Sequence, residues 1–173
     1  VDKMYWPSAA VTFEYDNKLM LNSYVDSGYK PVPITEKNKH AIELFLAHIK
    51  NTLSDEKEQT ILLDWLAYVV QNAGKRINWA ILLQGAQGTG KSYFAKVLEW
   101  VLGSNAKSLD PSALGERFTG WAHGAVVNIV EEIRIKGDDK WRIMDRLKPF
   151  ITNSMVQIEE KGRDHRTVPN FTN

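Results

Sequence analysis

Apolar residues recur at spacings of three and four in three segments, which predicts helices after Thr35, after Ser54 and after Ser92. The first two helices end before Gly74 and together form a helical lead-in over residues 36–76. We expect the apolar faces of both helices to pack on the core. These faces comprise Ile42, Phe45, Leu46 and Ile49 in the first helix and Ile61, Leu62, Trp65, Leu66, Val69 and Val70 in the second.

Alternating apolar and polar residues predict strands on both sides of these helices. Residues 11–15 and 19–21 flank the turn-forming pair Asp16-Asn17, so a β-hairpin is expected within the N-terminal segment 1–35. Later in the chain, residues 107–109 predict a short strand, and a helix is expected from Asp138-Asp139 to about Pro149. Residues 155–159 and 167–168 then predict a second hairpin.

The apolar run Trp79–Leu83 leads into a glycine-rich loop, Gly85–Ser92, which matches the pattern G-x-x-x-x-G-K-[ST] between a predicted strand and a predicted helix. Glycines let the backbone turn sharply, and the amides converge at a helix N-terminus that favours an anion. Lys91 is expected to face the β and γ phosphates of ATP, and the Ser92 hydroxyl to join the shell of a Mg²⁺ ion. The predicted nucleotide-binding residues are Gly85, Ala86, Gln87, Gly88, Thr89, Gly90, Lys91, Ser92 and Tyr93.

A second apolar run, residues 125–130, ends in the carboxylate pair Glu131-Glu132 about forty residues after the loop. A parallel sheet would bring this pair to the edge where the phosphates bind. We expect Glu131 to hold Mg²⁺ together with Ser92, and Glu132 to orient and deprotonate the attacking water, with the reverse order as the alternative. Lys91, Glu131 and Glu132 are therefore the predicted catalytic residues.

Composition narrows the class of protein only slightly. The chain has no cysteine, which excludes disulfides and thiolate zinc sites and favours a cytoplasmic location. The longest apolar stretch, residues 61–70, contains Asp64 and is too short to span a bilayer, so no membrane partner is expected. Residues 133–173 hold nine Lys or Arg and six Asp or Glu, which predicts a basic patch near the C-terminal end.

The turn of the second predicted hairpin is strongly charged. Its cationic side chains project around Gly162 and are suited to the phosphate backbone of a nucleic acid. A solvated turn without a ligand is the alternative. The predicted DNA-binding residues are Lys161, Arg163, His165 and Arg166.

The order of the glycine-rich loop, the Glu131-Glu132 strand end and the basic hairpin resembles superfamily 3 helicases. The resemblance covers roughly residues 36–173 and is greatest to the helicase part of phage and plasmid primase-helicases, the virulence-associated E-like group. The segments Asp64–Asn72 and Leu147–Thr152 also look like that group.

This resemblance implies an AAA+-like P-loop NTPase core over residues 77–173, with a parallel sheet flanked by helices. It also implies a homo-oligomeric, hexameric ring on single-stranded DNA, ATP at the subunit interfaces, and a primase domain as a candidate part of the parent chain. Members of the superfamily end a further strand with an asparagine that senses the γ-phosphate. Thr172-Asn173 is one candidate for this strand end. Because Asn173 follows His165 by only eight residues, we favour the alternative that the strand lies beyond Asn173. Candidates for an arginine finger are Arg134, Arg142, Arg146 and Arg163.

From the sequence we therefore expect an α/β ATPase core of a DNA helicase that moves single-stranded DNA with a basic hairpin. Two other functions remain open. One is a nucleotide-gated DNA-binding or assembly module without turnover of its own. The other is a P-loop kinase, which would need an acceptor pocket and an arginine-rich lid.

Overall fold

The computed structural model describes residues 2–133, 139–162 and 164–173, and it describes side chains for all of these except residues 139–142. No helix within these ranges is both long and apolar enough to cross a membrane. The fold is mixed α/β with small sheets. In chain order the elements are β1 (Asp2–Met4), β2 (Thr12–Tyr15), β3 (Lys18–Asn22), α1 (Glu36–Thr52), α2 (Glu56–Gln71), α3 (Ser92–Leu102), β4 (Ala106–Leu109), β5 (Val127–Val130), α4 (Asp139–Thr152), β6 (Met155–Ile158) and β7 (Arg166–Pro169).

The N-terminal segment contains the predicted hairpin. β2 and β3 pair in antiparallel fashion across Asp16 and Asn17, which both have positive φ (51° and 55°), as a two-residue hairpin turn requires. β1 adds a parallel strand to the other edge of β3, which the sequence analysis did not predict. Met4 and Met20 pack in one hydrophobic cluster with residues of β6 and β7. The N-terminal sheet therefore supports the C-terminal hairpin.

Helices α1 and α2 form the predicted lead-in. The Asp55 carboxylate caps α2 by accepting hydrogen bonds from the amides of Lys57 (2.8 Å) and Glu58 (3.0 Å). Most predicted core positions of α2 are buried, and Val69 is fully so. The predicted burial of Ile42, Leu46 and Ile61 is wrong, because their side chains are 36%, 38% and 50% exposed.

The main core lies between the helices and β5. Apolar residues of α2 and α3 pack there on Val126 and Val127. β4 and β5 form a parallel pair in which Ala106 faces Val127 and Leu109 faces Val130. The expected larger parallel sheet is absent from the described chain. Residues 79–83 contribute Ile81 and Leu83 to the core but form no strand, since no described neighbour makes a hydrogen-bond ladder with them.

Asn173 lies directly beside β5. Its amide donates to the Val126 carbonyl (2.9 Å), and its carbonyl accepts from the Asn128 amide (2.9 Å). Its side-chain Oδ1 accepts from the amide of Ile77 (2.7 Å). The return strand β7 takes four of the eight residues after His165, and the remaining four bring Asn173 to this place. Asn173 is level with the beginning of β5, whereas Glu131 follows its end.

Helix α4 continues to Thr152, three residues beyond the predicted end at Pro149. The C-terminal carbonyls of Ile151 and Thr152 accept hydrogen bonds from the Arg76 guanidinium, the latter at 3.1 Å. Such a cation satisfies helix-end carbonyls that have no partner within the helix. α4 is followed by the predicted second hairpin, in which β6 and β7 pair in antiparallel fashion.

Candidate functional site

The glycine-rich loop connects the core segment ending at Leu83 to the N-terminus of α3. Gly88 and Gly90 have φ values of 83° and 85°, which only glycine adopts without strain. Lys91 has helical angles and is the first residue to turn into α3. Within the described chain, no backbone amide from Gly88 to Ser92 donates a hydrogen bond. The loop therefore presents a run of unpaired N–H groups at a helix N-terminus.

The Lys91 side chain folds back over this loop. Its Nζ donates to the carbonyls of Ala86 (2.5 Å) and Gly85 (3.2 Å) and to the Thr89 hydroxyl (2.9 Å). The Thr89 hydroxyl in turn donates to the Ala86 carbonyl (3.1 Å). The ammonium group is thus held at the mouth of the loop, where it adds positive charge to the unpaired amides.

Helix α1 contacts the loop from the other side, which the sequence analysis did not predict. His48 Nε2 lies 2.9 Å from the Gly90 carbonyl oxygen, and the Thr52 hydroxyl lies 3.4 Å from the Thr89 carbonyl oxygen. His48 also makes ring contacts with Tyr93 and Phe94, with centroids 4.9 and 5.2 Å apart. Residues 48 and 90 are far apart in sequence, and no local pattern signals their contact.

The other predicted nucleotide-binding residues lie at the surface. Ala86, Gln87 and Ser92 are exposed. The ring of Tyr93 is partly exposed and lies near Trp100, with centroids 6.3 Å apart. This side of α3 therefore presents two accessible aromatic rings beside the loop.

The predicted carboxylate pair follows β5 directly. Glu131 and Glu132 are both exposed, and Glu132 has a φ of 52°, which is unusual for a residue with a side chain. Such a conformation at a strand end is often found in functional sites. Within β5, Asn128 donates from Nδ2 to the Trp121 carbonyl (3.1 Å), while its Oδ1 is buried without a partner among the described residues.

The predicted DNA-binding residues occupy different parts of the second hairpin and have different surroundings. Arg166 lies in β7 rather than at the turn, and it donates to the Glu160 carboxylate (3.1 Å). His165 Nε2 is 3.7 Å from Glu159, whose carboxylate also binds Arg117 (2.5 Å). Lys161 is exposed and forms no ion pair with any described residue.

Three of the four arginine-finger candidates lie wholly or by their side chains outside the described part of the chain. Arg163 and Arg134 lie outside the described residues, and so does the side chain of Arg142. Arg146, the remaining arginine-finger candidate, donates to the Arg117 carbonyl (3.2 Å).

A polar cluster not predicted from the sequence lies below this hairpin. The Lys107 ammonium donates to the His123 carbonyl (2.7 Å). Burial, and then the nearby charges of Arg166 and Lys107, lower the pKa of the His123 imidazole to about 4. Burial also lowers the pKa of Lys107, against an opposing effect of Glu160. These residues come from separate elements, so their proximity has no local sequence signal.

The chain belongs to DUF5906, described as a family of unknown function, whose model matches residues 83–173. The matched range starts just before the glycine-rich loop and includes β5, Glu131-Glu132 and the second hairpin. No curated protein matches the sequence at a significant level.

Solved structures of the NrS-1 C-terminal region share this fold. The apo structure of its residues 305–718 matches with a TM-score of 0.81 and 20% sequence identity. The matched region covers 98% of this chain and 41% of that structure's chain. An A-form apo structure of the same region matches with a TM-score of 0.80 and 22% identity, over 98% of this chain and 40% of that structure's chain. This chain therefore spans about two fifths of the length of those structures.

Proposed function

We propose that this chain is the nucleotide-binding part of an ATP-dependent DNA helicase or translocase in a phage or mobile-element replication protein. The observation that carries the proposal is the loop before α3. It combines unpaired amides from Gly88 to Ser92, two positive-φ glycines and the Lys91 ammonium at a helix N-terminus. A polyphosphate is the ligand that this combination of donors and charge favours.

The carboxylate pair supports a metal-dependent reaction at the same loop. Ile77 contacts Asn173, which is level with the start of β5, and Ile81 and Leu83 pack on the same core as Ile129. The loop and Glu131-Glu132 each follow a segment that packs on this core. A hydroxyl from Ser92 and a carboxylate from Glu131 would supply oxygen donors of the kind that Mg²⁺ prefers. Mg²⁺ would neutralise phosphate charge there, and Glu132 would orient and deprotonate a water molecule.

DNA handling is proposed for the hairpin β6–β7, with Lys161 as its first contact. The ion pairs of Arg166 and Arg117 with Glu160 and Glu159 hold the base of the hairpin, while Lys161 at the turn is left accessible. The hairpin also packs on the N-terminal sheet, which gives it a rigid base. A rigid hairpin with an exposed cation at its turn is suited to a DNA backbone.

Nucleotide binding is the decisive test, because hydrolysis in a ring needs an arginine from a neighbouring subunit, which contributes about 10³–10⁵ in rate. The Kd of a fluorescent ATP analogue would be measured by anisotropy with Mg²⁺ for the wild type, Lys91→Ala and Lys96→Ala. Lys96 is an exposed lysine on the same helix and serves as the matched control.

We expect Lys91→Ala to weaken binding more than tenfold, about 1.4 kcal/mol or more, and Lys96→Ala to leave it unchanged. Equal affinity of the wild type and Lys91→Ala, or no binding by the wild type, would overturn the proposal. Phosphate release by an assembled ring on single-stranded DNA then separates a motor from a module that only binds nucleotide.

A further inference from the structure

His48 occupies the space beside Gly90 that a side chain at this position would need. A Cβ built on Gly90 would lie 2.3 Å from His48 Cε1 and 2.9 Å from Nε2, closer than atoms can approach. The imidazole is half-buried and lies against the rings of Tyr93 and Phe94. The ring is therefore held in place by packing as well as by its hydrogen bond.

The hydrogen bond fixes one peptide plane of the loop. A carbonyl oxygen has no proton to give, so His48 Nε2 must be the protonated nitrogen and the donor. The Gly90 carbonyl also accepts from the Tyr93 amide (3.0 Å), so both of its lone pairs are used. In a planar trans peptide the carbonyl and the amide point in opposite directions. Holding the Gly90 oxygen against α1 therefore turns the Lys91 amide away from α1.

The preceding peptide is also contacted by α1, but more weakly. The single proton of the Thr52 hydroxyl is shared between the His48 carbonyl (2.9 Å) and the more distant Thr89 carbonyl (3.4 Å). With its carbonyl on the side of α1, this peptide directs the Gly90 amide away from α1 as well. Both peptides adjoin a glycine, which has little steric barrier to rotation, so without α1 they would flip more readily. A flipped peptide would present a carbonyl oxygen, which repels phosphate, in place of an amide.

We propose that His48, assisted by Thr52, is a positioning residue for phosphate binding by this loop. Helix α1 holds the carbonyls of Thr89 and Gly90 on its own side, so that the amides of Gly90 and Lys91 remain available to a polyphosphate on the other. This inference rests on the proposed nucleotide function and assigns to the helical lead-in a direct part in it.

The test separates the donor of His48 from its ring. His48→Gln keeps an N–H donor at a similar reach, whereas His48→Phe keeps a ring against Tyr93 and Phe94 but has no donor. His40→Phe, at an exposed position on the same helix, is the matched control. For each variant of this chain, the Kd values of Mg·ATP and of inorganic tripolyphosphate and the melting temperature without ligand would be measured.

We expect His48→Phe to weaken binding of both probes about threefold to tenfold, the loss of one hydrogen bond, while His48→Gln stays within about twofold of the wild type. His40→Phe should bind normally. Should His48→Phe fail to fold, Thr52→Val takes its place, with a smaller loss expected in the same direction.

Three results would overturn the inference. Equal weakening in His48→Phe and His48→Gln would show that ring packing, not the donor, matters. Normal binding by His48→Phe, with binding still lost in Lys91→Ala, would remove His48 from the site and leave the proposed function intact. Absence of ATP binding by the wild type would remove both.

Discussion

The two glycines of the loop allow the contact between α1 and the loop to be measured as a difference in stability. Gly88 and Gly90 have nearly the same positive φ, so replacement of either by alanine introduces backbone strain of about 1–2 kcal/mol. Their surroundings differ. No atom lies within 4 Å of a Cβ built on Gly88, whereas a Cβ on Gly90 would collide with the His48 ring.

Gly90→Ala should therefore be the more destabilising of the two changes. Displacing a packed ring adds about 1–3 kcal/mol, the range for overpacking, and this includes part of the hydrogen bond to the Gly90 carbonyl. For a domain of this size, about 2–4 °C of melting temperature corresponds to each kcal/mol. Gly90→Ala should then melt about 2–12 °C below Gly88→Ala.

Thermal unfolding without nucleotide, followed by circular dichroism, measures this difference independently of any function. The control is the same pair of alanine substitutions in a His48→Ala background, where the ring is gone and the two glycines should become nearly equivalent. Equal melting temperatures of Gly88→Ala and Gly90→Ala in the wild-type background would refute the reasoning. If Gly90→Ala still melted as far below Gly88→Ala in the His48→Ala background, a group other than the imidazole would cause the difference.

Two further predictions concern the C-terminal half. Lys161→Ala should weaken binding of single-stranded DNA and lower the slope of log K, the logarithm of the binding constant, against log salt by about 1. Lys37→Ala on α1, the control, should change neither quantity. Identical slopes for the two variants would exclude Lys161 as a phosphate contact. Acidification from pH 6.5 to 5 should lower the free energy of unfolding by at most about 2 kcal/mol through His123, because its pKa is about 4 in the folded state and near 6.5 when unfolded, so only the unfolded state gains the proton. The stability that this group contributes is thus present above pH 6.5 and is lost towards pH 4. Urea titrations of His123→Gln should show a smaller loss of unfolding free energy on acidification than the wild type. The same loss in the wild type and in His123→Gln would contradict its assignment to His123.

Local features of the fold could be predicted because their causes are local. Asp55 caps α2 through the amides of Lys57 and Glu58, and Asp16-Asn17 can adopt the left-handed angles of a tight turn. The glycine-rich loop likewise has its own short-range requirement for positive φ. In each of these places neighbouring residues decide the backbone conformation, so the sequence pattern was sufficient.

Features that depend on distant partners could not be predicted in the same way. Residues 79–83 have the composition of a strand, yet a strand needs a neighbour to complete its hydrogen bonds. Ile42 and Leu46 have helical spacing, yet spacing does not tell what covers that face. The contact of His48 with Gly90 depends on how α1 lies across the loop. Sequence analysis found the loop that is proposed to bind nucleotide but not the helix that orients it.

The two proposed sites belong to different hydrophobic clusters of the molecule. The loop adjoins the cluster formed by the helices and β5, whereas the basic hairpin belongs to the cluster that includes the N-terminal sheet. Residues 119–122 connect the two. Thr119 exchanges hydrogen bonds with the backbone of Glu159 at the hairpin (both 2.9 Å), and the Trp121 carbonyl accepts from Asn128 of β5.

This connection has a physical consequence for the proposed function. β5 leads directly to Glu131-Glu132, so a shift of β5 during the proposed nucleotide turnover would act on the Trp121 carbonyl and, two residues earlier, on the hairpin base at Thr119. Contact alone does not establish coupling, which requires that a change at one site alter the energetics of the other. Asn128→Ala removes the link between β5 and Trp121 without touching either proposed site. If this link couples the two sites, the substitution should leave unchanged the Kd of ATP and the Kd of DNA, each measured without the other ligand. It should reduce only the effect of one ligand on the affinity for the other.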